Sequence, residues 1–85
     1  MKNSFHGRTF ATLTATGQEK VQKDYEPLLP GFGYVAFNKL EELERVVTDK
    51  TAAIMLEPIQ GEGGVYVADR KYLKQVRELC LQKDV

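Results

Sequence analysis

Two short polar clusters carry the residues whose types suit chemistry. The first is Glu57-Pro58-Ile59-Gln60-Gly61-Glu62-Gly63-Gly64, which follows directly on the apolar run 52–56. In open α/β sheets, ligand-binding and catalytic groups collect just past the C-terminal ends of strands. Glycines there let the backbone turn sharply and approach a flat ligand closely. Glu57, Gln60 and Glu62 in such a loop suit orienting a cofactor, pairing with an arginine or holding a substrate ammonium. The same composition also reads as an ordinary glycine-rich turn with solvated carboxylates.

The second cluster is Asn3-Ser4-Phe5-His6-Gly7-Arg8-Thr9. Arg8 stands where the pattern predicts a helix to begin, and its guanidinium offers a carboxylate a bidentate, permanently charged partner. The positive end of that helix would add to the attraction. Phe5 offers an aromatic face and His6 a titratable ring. A surface arginine, a core phenylalanine and a structural histidine are the plainer readings of the same residues at this level.

Other chemistries find no support in the spacing. No histidine or cysteine pair has metal-ligand spacing, so no metal is expected. No phosphate-binding P-loop, dinucleotide fingerprint or nucleophile elbow is present. Twelve basic and twelve acidic side chains cancel, giving no basic excess for nucleic acid or an anionic membrane. The apolar runs fall far short of the ~20 residues of a membrane helix. Met1-Lys2-Asn3 lacks a signal-peptide core, so a cytoplasmic protein is expected. The lone Cys80 sits on an apolar helical stripe and reads as a small buried hydrophobe in a reducing compartment.

The elements that must position these groups follow from periodicity. With 42% hydrophobic and 28% charged residues, the chain has globular composition. A helix is predicted over residues 8–16, with Gly17 as a left-handed stop. Residues 18–33 read as a long polar excursion broken by Pro27, Pro30, Gly31 and Gly33. Residues 34–37 form a short β-type run. Asn38 then caps a helix in capping-box spacing with Glu41, whose apolar face is Leu40, Leu43, Val46 and Val47. Residues 51–56 form a second strand, residues 65–67 a brief extended piece, and Asp69 caps a last helix striped by Tyr72, Leu73, Val76, Leu79 and Cys80.

A strand–helix–strand crossover with unalternated apolar strands implies a parallel sheet covered on both faces. Two strands do not complete such a sheet. The expectation is an α/β piece of a larger domain, incomplete at both ends. A stand-alone binding or scaffold module is the competing possibility, and it would have to leave strand edges and apolar faces bare.

Read together, Asn-Ser-Phe-His-Gly-Arg-Thr at 3–9 and Glu-Pro-Ile-Gln-Gly-Glu-Gly-Gly-Val at 57–65 resemble the class III pyridoxal-phosphate-dependent aminotransferases. The likeness includes Gly17-Gln18-Glu19-Lys20, Phe37-Asn38 and the Tyr72-Leu73…Val76-Arg77-Glu78-Leu79-Cys80 stripe. It implies that residues 1–85 are part of the large, cofactor-binding domain of a fold-type I enzyme, a homodimer with active sites at the subunit interface. It further implies that Phe5 stacks on the pyridoxal 5'-phosphate ring and Arg8 grips the substrate α-carboxylate. Glu62 is implied to pair with a distant arginine as the site alternates between substrates. Glu57, Gln60 and His6 match site-lining positions.

Within the family the wording is most similar to the branch that moves an amino group from N-acetylornithine to 2-oxoglutarate in arginine biosynthesis. Ornithine, succinylornithine and 4-aminobutyrate are the alternative donors. The family's phosphate-binding segment, pyridine-binding aspartate and cofactor-bearing lysine match nothing in these residues. No catalytic residue, tight cofactor binding or activity is therefore expected of the 85 residues alone.

Overall fold

The stripe on the last helix is the surface against which the rest of the chain packs. A computed structural model describes residues 1–85, and in it helix α4 spans Arg70–Lys83. Its Tyr72, Val76 and Leu79 follow the i, i+4, i+7 spacing of one helix face. They are buried together with Met1, Val35 and Leu43. Phe37 meets Tyr72 edge-on, with ring centroids 6.2 Å apart, the geometry that aromatic quadrupoles favour. Cys80 lies at the margin of this cluster, half-buried instead of fully enclosed. Asp69 is the N-cap as expected, but its side chain makes no cap hydrogen bond.

Asn38 does a different job from the one its spacing suggests. Helix α3 spans Leu40–Val46 and starts from Lys39 with no side-chain cap. Asn38 adopts a left-handed backbone, φ 59°, and its Oδ1 accepts the Asp69 N–H at 3.0 Å. Asn38 thus holds the start of α4 rather than its own helix. Glu41 makes no capping box either; Glu42 reaches back and accepts the Ala36 N–H at 2.9 Å. Leu43 is the residue of α3 that becomes fully buried, whereas Val46 stays 51% exposed.

Helix α1 covers only Phe10–Ala15, two residues later than the pattern predicts. The Thr9 N–H donates to Thr12 Oγ1 at 3.1 Å, and the two hydroxyls lie 2.8 Å apart. Thr14 and Thr16 donate back to the carbonyls of Phe10 and Thr12 at 2.8 and 2.9 Å. Such back-bonding competes with regular helix and favours early termination. The stop itself is Thr16, with extended φ −67° and ψ 115°, not a left-handed Gly17. Gly17 serves another need, since a Cβ there would collide with the Met1 carbonyl oxygen. The polar excursion beyond it contains one short helix, α2, Glu19–Gln22. The Gln22 amide and the Tyr34 hydroxyl both bond to the Thr14 carbonyl, pinning the excursion to α1.

The two predicted strands are extended but do not pair with each other. The backbone of residues 1–3 is bonded to both: the Lys2 N–H donates to Val35 O at 2.8 Å and the Met1 amine to Met55 O at 3.5 Å. Lys2 also forms a parallel bridge with Gly17, and the Asn3 N–H donates to Gly17 O at 2.8 Å. The one ladder is antiparallel, between β1 (Ile59–Gln60) and β2 (Tyr66–Val67), with Ile59 opposite Val67. Residues 52, 53 and 55 of the second predicted strand are exposed. Parallel strands need partners and cover on both faces, and these residues supply neither. No helix is long and apolar enough to cross a membrane.

Candidate active site

Glu57 emerges at the end of the extended run 51–56, and its Oε2 accepts the backbone N–H of Phe5 at 2.7 Å. This one bond joins the two polar clusters, 52 residues apart in sequence. A bond to an ionised acceptor is roughly twice as strong as a neutral one, so the tether suits a loop end that must be held firmly. Gly63 closes the same contact from the other side. A Cβ at Gly63 would collide with the Asn3 carbonyl oxygen, so only glycine lets the loop lie flush on the first cluster.

Phe5 is half-buried, and the Arg8 guanidinium carbon lies 5.6 Å from its ring centroid, within cation–π range. Arg8 itself is exposed. Helix α1 begins beyond Arg8 and is six residues long, so the dipole contribution expected at Arg8 is minor beside the Phe5 contact. The His6 backbone N–H donates to Thr16 Oγ1 at 2.9 Å. Its Nε2 is buried with no partner within the chain. Burial lowers the His6 pKa, and the Glu57 carboxylate pulls it back up. The net direction is down, so the ring is neutral at pH 7.

Gln60 is 1% exposed and its amide donates to the Lys2 carbonyl at 2.8 Å. That amide is a buried tie between the loop and the residue just before the first cluster, with almost no surface facing outward. Glu62 is exposed, and its Oε2 accepts from Gln18 Nε2 at 2.6 Å. The same nitrogen donates to the Ser4 carbonyl at 3.1 Å. Ser4 is fully buried; its hydroxyl donates to Met1 O at 2.6 Å and accepts the Gly17 N–H at 3.0 Å.

Phe5, His6, Arg8, Glu57 and Glu62 are thus drawn around one junction, with Gln60 beneath it. Spacing alone missed Ser4, Thr16 and Gln18, which hold that junction together. Gln18 lies in a polar stretch with no periodicity, and nothing in such a stretch separates a buried amide from a solvated one. The arrangement offers an aromatic face, an exposed arginine and a displayed carboxylate. All eight lysines are exposed, so none stands in a desolvated pocket of the kind that activates an amine nucleophile.

Known proteins share this chain's sequence and shape. Residues 1–85 match the Aminotransferase class-III family along their whole length. The acetylornithine aminotransferase of Methanocaldococcus jannaschii is 59% identical over 85 residues, covering all of this chain and 21% of that protein. The acetylornithine aminotransferase of Thermosynechococcus vestitus is 56% identical, covering 96% of this chain and 21% of its own. Among solved structures, an ornithine aminotransferase from Toxoplasma gondii ME49 superposes with a TM-score of 0.90 at 35% identity. That superposition covers 99% of this chain and 20% of the other. A second structure of the T. gondii enzyme, with PLP partially occupying its active site, gives a TM-score of 0.91. The chain spans about a fifth of the length of the relatives it matches. It adopts the α/β fold of the corresponding fifth of an ornithine aminotransferase, and it belongs to the class III aminotransferase family.

Proposed function

We propose that residues 1–85 are part of the large, cofactor-binding domain of a pyridoxal-phosphate aminotransferase. The whole enzyme moves an amino group from N-acetylornithine to 2-oxoglutarate, as a cytoplasmic homodimer. The observation that supports this reading is the Glu57–Phe5 tether, which brings the two motifs into contact. The donor is chosen on the 59% identity to an acetylornithine aminotransferase. Ornithine is the second candidate, favoured by the likeness to the T. gondii structures.

The residues present fit part of the cofactor's needs. The half-buried Phe5 ring, fixed through its backbone, suits stacking on a pyridine ring, and the unpartnered His6 Nε2 beside it has hydrogen-bonding capacity to spare. The lysine that anchors the cofactor belongs to the rest of the enzyme. Bound, pyridoxal phosphate supplies the electron sink for amino-group transfer. Arg8, exposed beside the Phe5 ring, offers its planar fork to the α-carboxylate of donor or acceptor. Glu57 keeps the Phe5 backbone in place. Neutral His6 adds no charge to the site at pH 7.

The test is Arg8→Lys in the full-length enzyme, following glutamate formation from 2-oxoglutarate. The lysine keeps the charge and loses the bidentate geometry, so kcat/KM for α-carboxylate donors should fall by at least about tenfold. Unchanged kinetics would remove Arg8 from the site. A wild-type enzyme that ignores N-acetylornithine but uses ornithine would move the donor assignment to the second candidate.

A further inference from the structure

Gln18 is the residue through which the first cluster and the loop carboxylate are made rigid with respect to each other. It is 7% exposed, and its single amide nitrogen donates one N–H to the Ser4 carbonyl and the other to Glu62. Its base is fixed. Gly17, the preceding residue, is bonded through its N–H to Ser4 Oγ and through its carbonyl to Asn3, and its Cα lies against the Met1 carbonyl. Gln18 O accepts the N–H groups of Val21 and Gln22, anchoring α2.

The chemistry of the donor matters here. An arginine or lysine at this point would neutralise Glu62. An amide holds the carboxylate at 2.6 Å and leaves its full negative charge for a cation approaching from the exposed side. Bonds to charged acceptors are short and directional, so the carboxylate is pre-set before any ligand arrives, and less ordering cost falls on binding.

We infer that Gln18 is a positioning residue for Glu62, holding its carboxylate in place and available at the mouth of the substrate site. Gln18 touches neither substrate nor cofactor; it acts through Glu62. The inference rests on the substrate-site reading of Glu62 and adds to it the residue that sets its geometry.

The test uses the full-length holoenzyme with Gln18→Met, Glu62→Gln and the double variant. Each single variant should shift the ratio of donor KM to 2-oxoglutarate KM by about tenfold, the loss of one bond to a charged group. The double variant should shift it no further than Glu62→Gln alone. A crystal structure of Gln18→Met should show the Ser4 backbone unmoved and the Glu62 carboxylate displaced. If the Gln18→Met enzyme does not fold, Gln18→Asn, one methylene too short to reach Glu62, replaces it. A purely structural Gln18 would lower stability and change both KM values together, or leave Glu62 in place, and either result overturns the inference. An impaired Glu62→Gln beside a kinetically silent Gln18→Met removes Gln18 alone. Normal kinetics of Glu62→Gln removes Glu62 from the site, and the inference falls with that reading.

Discussion

At the scale of single residues, His6 gives the clearest expectation. Its pKa is lowered chiefly by burial, while Glu57 acts against that lowering. A histidine held neutral in the folded state takes up its proton more readily when unfolded. Stability is therefore intact above the unfolded pKa of about 6.5 and declines as pH falls below it. Removing the Glu57 charge removes the opposing influence. In Glu57→Gln the His6 pKa should move further down, read from its ring proton signals in an NMR titration and assigned by their loss in His6→Gln. An upward move would mean that Glu57 does not act on His6. The direction of this coupling is invisible in the sequence, because the two residues lie far apart along the chain and only the fold brings them near.

At the scale of elements, the glycine-rich loop divides into positions that need glycine and positions that tolerate more. Gly63 lies flush on the Asn3 carbonyl, whereas a Cβ at Gly61 meets nothing within 4 Å. Gly63→Ala should cost about 1–3 kcal/mol, the usual penalty for overpacking against unyielding backbone. Gly61→Ala should stay within about 1 kcal/mol of wild type. Denaturant unfolding of the full-length protein checks both, and equal effects would contradict the contact. Helix α4 is legible in the sequence because its stripe is local and repeats with helical period. The true role of Asn38 is not, because its partner, the Asp69 N–H, lies 31 residues away and leaves no trace in spacing. The role of residues 1–3 is equally hidden. Lys2 and Asn3 read as polar loop residues, yet the backbone of residues 1–3 is what both extended runs bond to.

At the scale of the whole molecule, the chain carries the proposed active-site wall and leaves much of its apolar surface uncovered. Phe32, Val46 and Met55 are 45%, 51% and 55% exposed along one cleft, apolar surface of the kind that partners cover. Expressed by themselves, residues 1–85 should associate or stay loosely packed, bind no pyridoxal phosphate through gel filtration and show no transamination. Sedimentation, circular dichroism and the cofactor absorbance band check this. A cooperative monomer with a retained cofactor band would refute it. The α/β class is readable from two apolar runs flanking a helix. The assembled site is readable only through family resemblance, since no spacing rule links residue 5 to residue 57.

The tether between those two positions has a consequence for how such a site can change over time. Glu57 grips the main chain of residue 5 and not its ring, so the anchoring is indifferent to which side chain stands there. The aromatic group can be exchanged for a larger or more polar one while its mounting stays where it is. Glu57 cannot be exchanged so freely, because every ring placed at position 5 depends on it. Diversity in the ring and constancy in the mount is the pattern this architecture permits.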